Sequence, residues 1–173
     1  MQKLETFIRN VPDFPKKGIG FKDITTLLKN PEAFRASLDA MQKALQGEVD
    51  VIVGIESRGF IFGAALADRL GVAFVPARKP GKLPAESLRA EYELEYGTDA
   101  LEIHRDAITK GLSVAIVDDL LATGGTAAAT CRLVEELGGV LHCYLFLIEL
   151  SFLNGREKLK GHRVESLIQY AGE

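Results

Sequence analysis

Cysteine is scarce in this chain of 173 residues: only Cys131 and Cys143 occur, and they form no CxxC pair. That argues against a disulfide framework or a cysteine-rich metal centre and leaves two buried, reduced thiols as the reading. His104, His142 and His162 are scattered, with no HxxxH spacing and no cysteine partner in the sequence. Charge of one sign is also missing. A net charge of −3 and a pI near 5.7 create no bulk field toward nucleic acid or anionic membrane, so neither is an expected partner. No apolar run approaches the ~18 to 20 residues a membrane span needs. The opening MQKLETFIRN has no apolar h-region, so a secretory signal is not expected and a cytoplasmic location is. Two nucleotide fingerprints are absent as well. GxGxxG occurs nowhere, and Gly54 to Gly59 has the spacing of a P-loop but Phe60 in place of its lysine.

What is present is an ordinary globular composition, 47% hydrophobic and 26% charged, at a length that suits one compact domain over residues 1–173. A loop-rich start (Pro12, Pro15, Gly18, Gly20) leads to a predicted helix over roughly Asn30 to Leu45. Asn30 is its N-cap, Pro31 its first residue, and Phe34, Leu38, Met41 and Leu45 its apolar stripe. Two later segments share one plan. Val49 to Ile55 enters the polar turn Glu56-Ser57-Arg58-Gly59 and then a helical FIFGAALADRL. Val114 to Val117 enters Asp118-Asp119, a Thr-Gly-Gly-Thr turn and a helix whose natural C-cap is Gly138. Val72 to Ala77 and Val140 to Leu150 are further apolar runs. Short β-branched runs alternating with helices predict an α/β fold with a parallel sheet covered on both faces, and ligands at the carboxyl ends of its strands. Arg78 to Ile103 differs: a charged, Pro- and Gly-rich start is followed by the alternation EYELEYG. This is either a functional lid or plain disorder, and the alternation favours a β-ribbon.

The run VDDLLATGGT carries the most chemistry. Thr123-Gly124-Gly125-Thr126 precedes a helix, so backbone N–H groups, the helix dipole and two hydroxyls all favour a bound anion. Asp118 and Asp119 beside that anion make sense if the ligand also offers sugar hydroxyls, or a divalent cation. A ribose phosphate satisfies both demands. Arg58 would be awkward at a helix start unless an anion lies nearby, since the dipole there is already positive.

A hydrophobic strand, Asp-Asp and a loop ending Thr-Gly-Gly-Thr resemble the phosphoribosyl pyrophosphate (PRPP) motif of the type I phosphoribosyltransferases. The segments PDFPKKGIGFKDIT, ESRGFIFG, ARKPGKLP, EYELEYG and VDDLLATGGT follow the family's order over essentially the whole chain. The N-terminal segment and LEYG are similar to those of the members that use adenine. The resemblance implies a central parallel sheet flanked by helices, a small N-terminal hood (about 1–30) and a mobile β-ribbon lid (about 78–103). It also implies a homodimer, Mg2+ carried by PRPP or pyrophosphate, and conversion of adenine plus PRPP to AMP and pyrophosphate.

The implied roles are specific. Ala122, Thr123, Gly124, Gly125 and Thr126 hold the 5-phosphate, and Asp118 and Asp119 the ribose hydroxyls. Ser57, Arg58 and Gly59 form the pyrophosphate loop, with a non-proline cis peptide at Glu56–Ser57. Arg78, Lys79 and Lys82 are either further anion ligands or a solvated basic face. Glu95 is the implied general acid/base, at purine N7, and Tyr96 orients the closed loop; Glu91, Glu93 and Glu95 otherwise read as a solvated strand face. Phe21 and Leu120 sandwich adenine, or Phe21 is a core aromatic of the hood, while backbone near Gly20 and Lys22 reads the base edge. Gly20 stands where the family often has an aliphatic residue, and Lys22 where arginine is common. Two rival readings share the fold: use of hypoxanthine, guanine or xanthine, and a PRPP- or nucleotide-sensing regulator, for which the basic residues form no nucleic-acid stripe.

Overall fold

The computed structural model describes residues 4–94 and 97–172, with only the backbone of Leu94. In the N-terminal segment β1 (Arg9–Val11) pairs antiparallel with β2 (Phe21–Asp23), and α1 (Thr25–Leu28) follows. Then comes α2 (Pro31–Leu45), begun as its sequence predicts: the Asn30 side chain accepts from the N–H groups of Glu32 and Ala33 at 3.1 and 2.9 Å. The rest is β3 (Val51–Ile55), α3 (Gly59–Leu70), β4 (Ala73–Ala77), the hairpin β5 (Ser87–Leu94) and β6 (Gly97–His104), β7 (Ser113–Leu121), α4 (Gly125–Glu136), β8 (Val140–Leu150) and β9 (Val164–Tyr170). Gly138 ends α4 at φ 85°, its N–H on Glu135 O and that of Gly139 on Val134 O, the expected glycine stop.

The central sheet has five strands in the order β4-β3-β7-β8-β9, all parallel. The expected two-sided cover is visible strand by strand. In β7, Val114 and Ile116 join the core beneath α4 and the hairpin, while Ala115 and Val117 join the core beneath α2 and α3. In β8, Tyr144 and Phe146 alternate in the same way with Cys143, Leu145 and Leu147. Both cysteines are free and buried; burial raises both thiols, that of Cys143 to about 11.

Three features depart from the sequence reading. The strand expected to stop at Val117 continues to Leu121, because β8 offers pairing partners as far as Leu121↔Glu149; Asp118 and Asp119 therefore sit on the strand itself. The edge strand β9, VESLIQY, was not expected, since it lacks the continuous apolar run of its inner neighbours and buries only Ile168. The ribbon is not a free flap along its length. Leu88, Tyr92, Leu101 and Ile103 bury one face in the main core, and Arg89, Glu91 and Glu93 are exposed on the other.

Candidate active site

β3 and β7 stay paired as far as Gly54↔Val117 and then part. After β3 the chain crosses to β4 on one side, and after β7 to β8 on the other, so the gap between them is the sheet's topological switch point. Two cavities open there. One of about 170 Å³ is lined by Ile55–Arg58, Lys79, Tyr92, Asp118–Leu120 and Thr126. The other, about 80 Å³, is lined by Asp118, Leu120–Gly124, Thr126, Ala127 and Phe146. Shared walls at Asp118, Leu120 and Thr126 make them one composite site. A larger hollow of about 410 Å³, around Phe7, Arg9, Lys29 and Pro31, gathers none of the sequence-predicted site residues.

The smaller cavity sits at the start of α4. Gly124 caps that helix at φ 79°, a conformation glycine takes without the penalty a Cβ brings, and no side chain caps it. The first N–H groups of α4 are thus left without a side-chain acceptor beside the cavity wall, the arrangement that binds phosphate.

Two carboxylates lie in the larger cavity's wall. Asp118 accepts from the N–H of Asp119 at 2.8 Å. Burial pushes the Asp118 carboxyl well above the usual carboxylate range, and the charge of Asp119 adds to the effect. Burial raises Asp119 too, against the opposing pull of Arg58. The Arg58 Nε is 3.1 Å from Asp119 Oδ2, but Oδ2 is buried with no hydrogen bond, so the pair has ionic distance without hydrogen-bond alignment. Arg58 is the N-cap residue of α3, where its charge opposes the helix dipole, and Asp119 supplies the anion that placement calls for. Its guanidinium carbon lies 5.2 Å from the Phe21 ring centroid, which brings the hood aromatic to the site. Gly59 lets α3 start against β7: a Cβ there would stand 2.7 Å from Val117 O and 2.9 Å from Asp118 Oδ1. The Glu56–Ser57 peptide is cis, as the family resemblance implied.

The basic trio divides. Lys79 lines the larger cavity, its ammonium on Asp99 and on the Tyr92 hydroxyl at 2.8 Å. Burial works against the Lys79 charge, yet these two partners outweigh it and raise its pKa. Arg78 and Lys82 instead turn to Glu56, with Lys82 in a direct ion pair and Arg78 Nε at 3.4 Å. Burial alone would raise Glu56, but Lys82, the Lys79 N–H and Arg78 hold it below the ordinary range. Neither Arg78 nor Lys82 lines the cavities. The side chain of Lys22 is committed elsewhere, to Asn10 Oδ1 at 3.1 Å and the Tyr170 ring. Gly20 precedes β2 and lines neither cavity, while Gly125 opens α4. Glu95 and Tyr96 lie outside the described residues.

Sequence reasoning missed Glu56, Tyr92 and Asp99, which organise the basic trio. Only the alternation of EYELEYG bore on Tyr92, whose parity opposes the exposed glutamates. It also found no cysteine partner for any histidine. The fold sets His162 with Cys131 and Glu135, their ligand atoms within 4.8 Å of one another, through the turn that leads into β9. That group lines neither cavity.

A family model for the phosphoribosyl transferase domain matches residues 23–163. The chain belongs to the phosphoribosyltransferase family. An adenine phosphoribosyltransferase of Caldanaerobacter subterraneus is 60% identical over 171 residues, covering 98% of this chain and 99% of that protein. The crystal structure of the enzyme from Thermoanaerobacter pseudethanolicus superposes with a TM-score of 0.95 at 60% identity, over 96% of this chain and 98% of that one. That from Saccharomyces cerevisiae, complexed with an imino-altritol bisphosphate and adenine, gives 0.92 at 48% identity over 96% and 97%. Within the family, this chain is one of the adenine phosphoribosyltransferases.

Proposed function

We propose that the chain transfers the 5-phosphoribosyl group of PRPP to adenine, releasing AMP and pyrophosphate in purine salvage. The observation that carries this reading is the buried, hydrogen-bond-free Asp119 Oδ2, set between a phosphate-binding helix start and the cations Arg58 and Lys79. A sugar hydroxyl is a donor that would satisfy this buried acceptor. Residues Ala122–Thr126 hold the 5-phosphate, Asp118 and Asp119 the ribose hydroxyls, and Ser57, Arg58, Gly59 and Lys79 the diphosphate. Arg78 and Lys82 join the diphosphate by exchanging Glu56 for it. The base lies between Phe21 and Leu120, its edge read by backbone near Gly20 and Lys22.

Purine N9 attacks C1 of the ribose, the C1–oxygen bond to pyrophosphate breaks, and a proton leaves N7 for Glu95. Tyr96 orients the loop that closes over the reacting atoms and keeps water from intercepting the cationic sugar. Asp118 and Asp119 are hard oxygen donors that suit Mg2+, but they adjoin Arg58 and burial raises both, which fits an ion arriving on the substrate better than a resident cage. Bound with the substrate, such an ion would supply positive charge to the diphosphate. The enzyme acts as a homodimer in the cytoplasm, with adenine and PRPP as its small-molecule partners.

Purified protein is to be assayed with PRPP, Mg2+ and a panel of bases. Formation of AMP well ahead of IMP, GMP or XMP is expected; AMP formation no faster than the others overturns the adenine assignment.

A further inference from the structure

The loop Ala122–Thr126 does not rest on its own strand and helix alone. Its outer side meets Gly155, at the start of the turn Gly155–Leu159 between β8 and β9. A Cβ built on Gly155 would lie 2.2 Å from Ala122 O, and one on Gly124 would lie 2.4 Å from Gly155 O. Two backbones therefore touch, glycine to loop, with no room for a methyl group on either side. Gly155 does not have a positive φ, unlike Gly124 or Gly161, so what its position demands is the close approach and not an unusual backbone angle.

The next residue anchors this floor. Arg156 donates from Nε and Nη2 to the two carboxylate oxygens of Glu149, each at 2.7 Å, and from Nη1 to Val164 O at 2.9 Å. Glu149 is buried and pairs in register with Leu121, the last residue of β7 before the loop. The Arg156 fork holds Glu149 below the usual carboxylate range despite its burial. One side of the phosphate loop is thus tied to β8 by strand register. The other is set by Gly155, which the same Glu149 locates through Arg156.

We propose that Gly155, held by the Glu149–Arg156 ion pair, is a positioning residue for the 5-phosphate: it sets the depth of the Ala122–Gly124 backbone and hence the aim of the N–H groups at the start of α4. This rests on the reading of that loop as the 5-phosphate site. A methyl group at Gly155 pushes Ala122 O toward the cavity, and N–H donors to an anion tolerate little displacement.

The test is calorimetric binding of ribose 5-phosphate, with steady-state kinetics, for wild type, Gly155→Ala and Gly161→Ala. Gly161 has φ 91° and open space around it, so alanine there strains the backbone without touching the loop. Gly155→Ala is expected to weaken ribose 5-phosphate at least about tenfold and raise KM for PRPP similarly, with kcat at saturating PRPP within about threefold. Gly161→Ala is expected to leave binding within about twofold, whatever it does to the melting temperature. If Gly155→Ala binds like wild type, or Gly161→Ala loses as much, the positioning role is wrong. Should Gly155→Ala not fold, Arg156→Lys keeps the charge and removes the fork; it is expected to weaken ribose 5-phosphate about threefold or more, and unchanged binding overturns the proposal. Failure of the wild type to bind ribose 5-phosphate would instead remove the function of the loop, and this role with it.

Discussion

Arg58 lies between Asp119 and Phe21: its Nε is 3.1 Å from Asp119 Oδ2, and its guanidinium carbon 5.2 Å from the Phe21 ring centroid. One arginine thereby links the loop after β3, the strand β7 and the N-terminal hood. Its charge at a helix start is offset before any ligand binds.

Arg58→Lys is expected to lower kcat/KM for PRPP by roughly ten- to hundredfold, since a charge-assisted hydrogen bond contributes about 1.5–3 kcal/mol and each 1.4 kcal/mol is about a factor of ten. Urea unfolding of the ligand-free protein should change little, because Arg58 is about one-third exposed and lysine keeps its charge. Kinetics close to wild type would show that the planar fork is not used.

Asp118 is held at the expense of stability. Its folded-state pKa is raised by burial and by Asp119, so its ionisation opposes folding as pH rises above the ordinary carboxylate value. Asp118→Asn is expected to raise the melting temperature of the ligand-free protein at pH 7 by roughly 2–4 °C. The difference should vanish near pH 3, where the carboxyl is protonated in both states. Activity with PRPP should fall at least about tenfold. A variant that melts lower than wild type at pH 7 contradicts this account.

Asp23 works in the opposite sense. The Thr25 N–H, Arg9 and the Thr25 hydroxyl hold its carboxyl down at about 2, tying β2 to β1 and α1. The stabilisation is complete above the ordinary value of 3.8 and is lost as pH falls from there through about 2. Asp23→Asn should cost about 1–3 kcal/mol in urea unfolding at pH 6, and the gap from wild type should close between pH 4 and 2. A gap independent of pH would mean that the carboxylate charge is not what holds the hood.

Glu95→Gln tests the proton route. A general acid or base contributes about a hundredfold or more, so kcat in the forward direction should fall by that order with KM for PRPP little changed. A drop of less than about threefold removes the role. PRPP should still raise the melting temperature of this variant, because the anion pockets are intact.

Local order in this chain is legible from local patterns. The cap and stripe of α2, the glycine stop after α4, four strands of the sheet and the glycine-capped start of α4 follow from spacing, capping chemistry and the φ that only glycine adopts cheaply. Those signals act within a few residues, so a single sequence displays them. VDDLLATGGT accordingly marked a real cavity wall.

Partnership was decided by tertiary structure. β9 is a strand because β8 presents an open edge, which nothing in VESLIQY announces. β7 runs on through Asp118 and Asp119 because β8 is long enough to pair with it. Arg78 and Lys82 face Glu56 because β3 and β4 lie side by side in the sheet, and Lys79 faces Asp99 and Tyr92 because the hairpin packs one face into the core and brings them across. Gly155 meets the loop Ala122–Thr126 only after two parallel crossovers have stacked β7, β8 and β9 side by side. Local sequence dictated which strands end in acidic, glycine-rich turns at a helix start. The fold decided which charges meet, since pairing, burial and close backbone contact arise between residues that only a closed chain brings together.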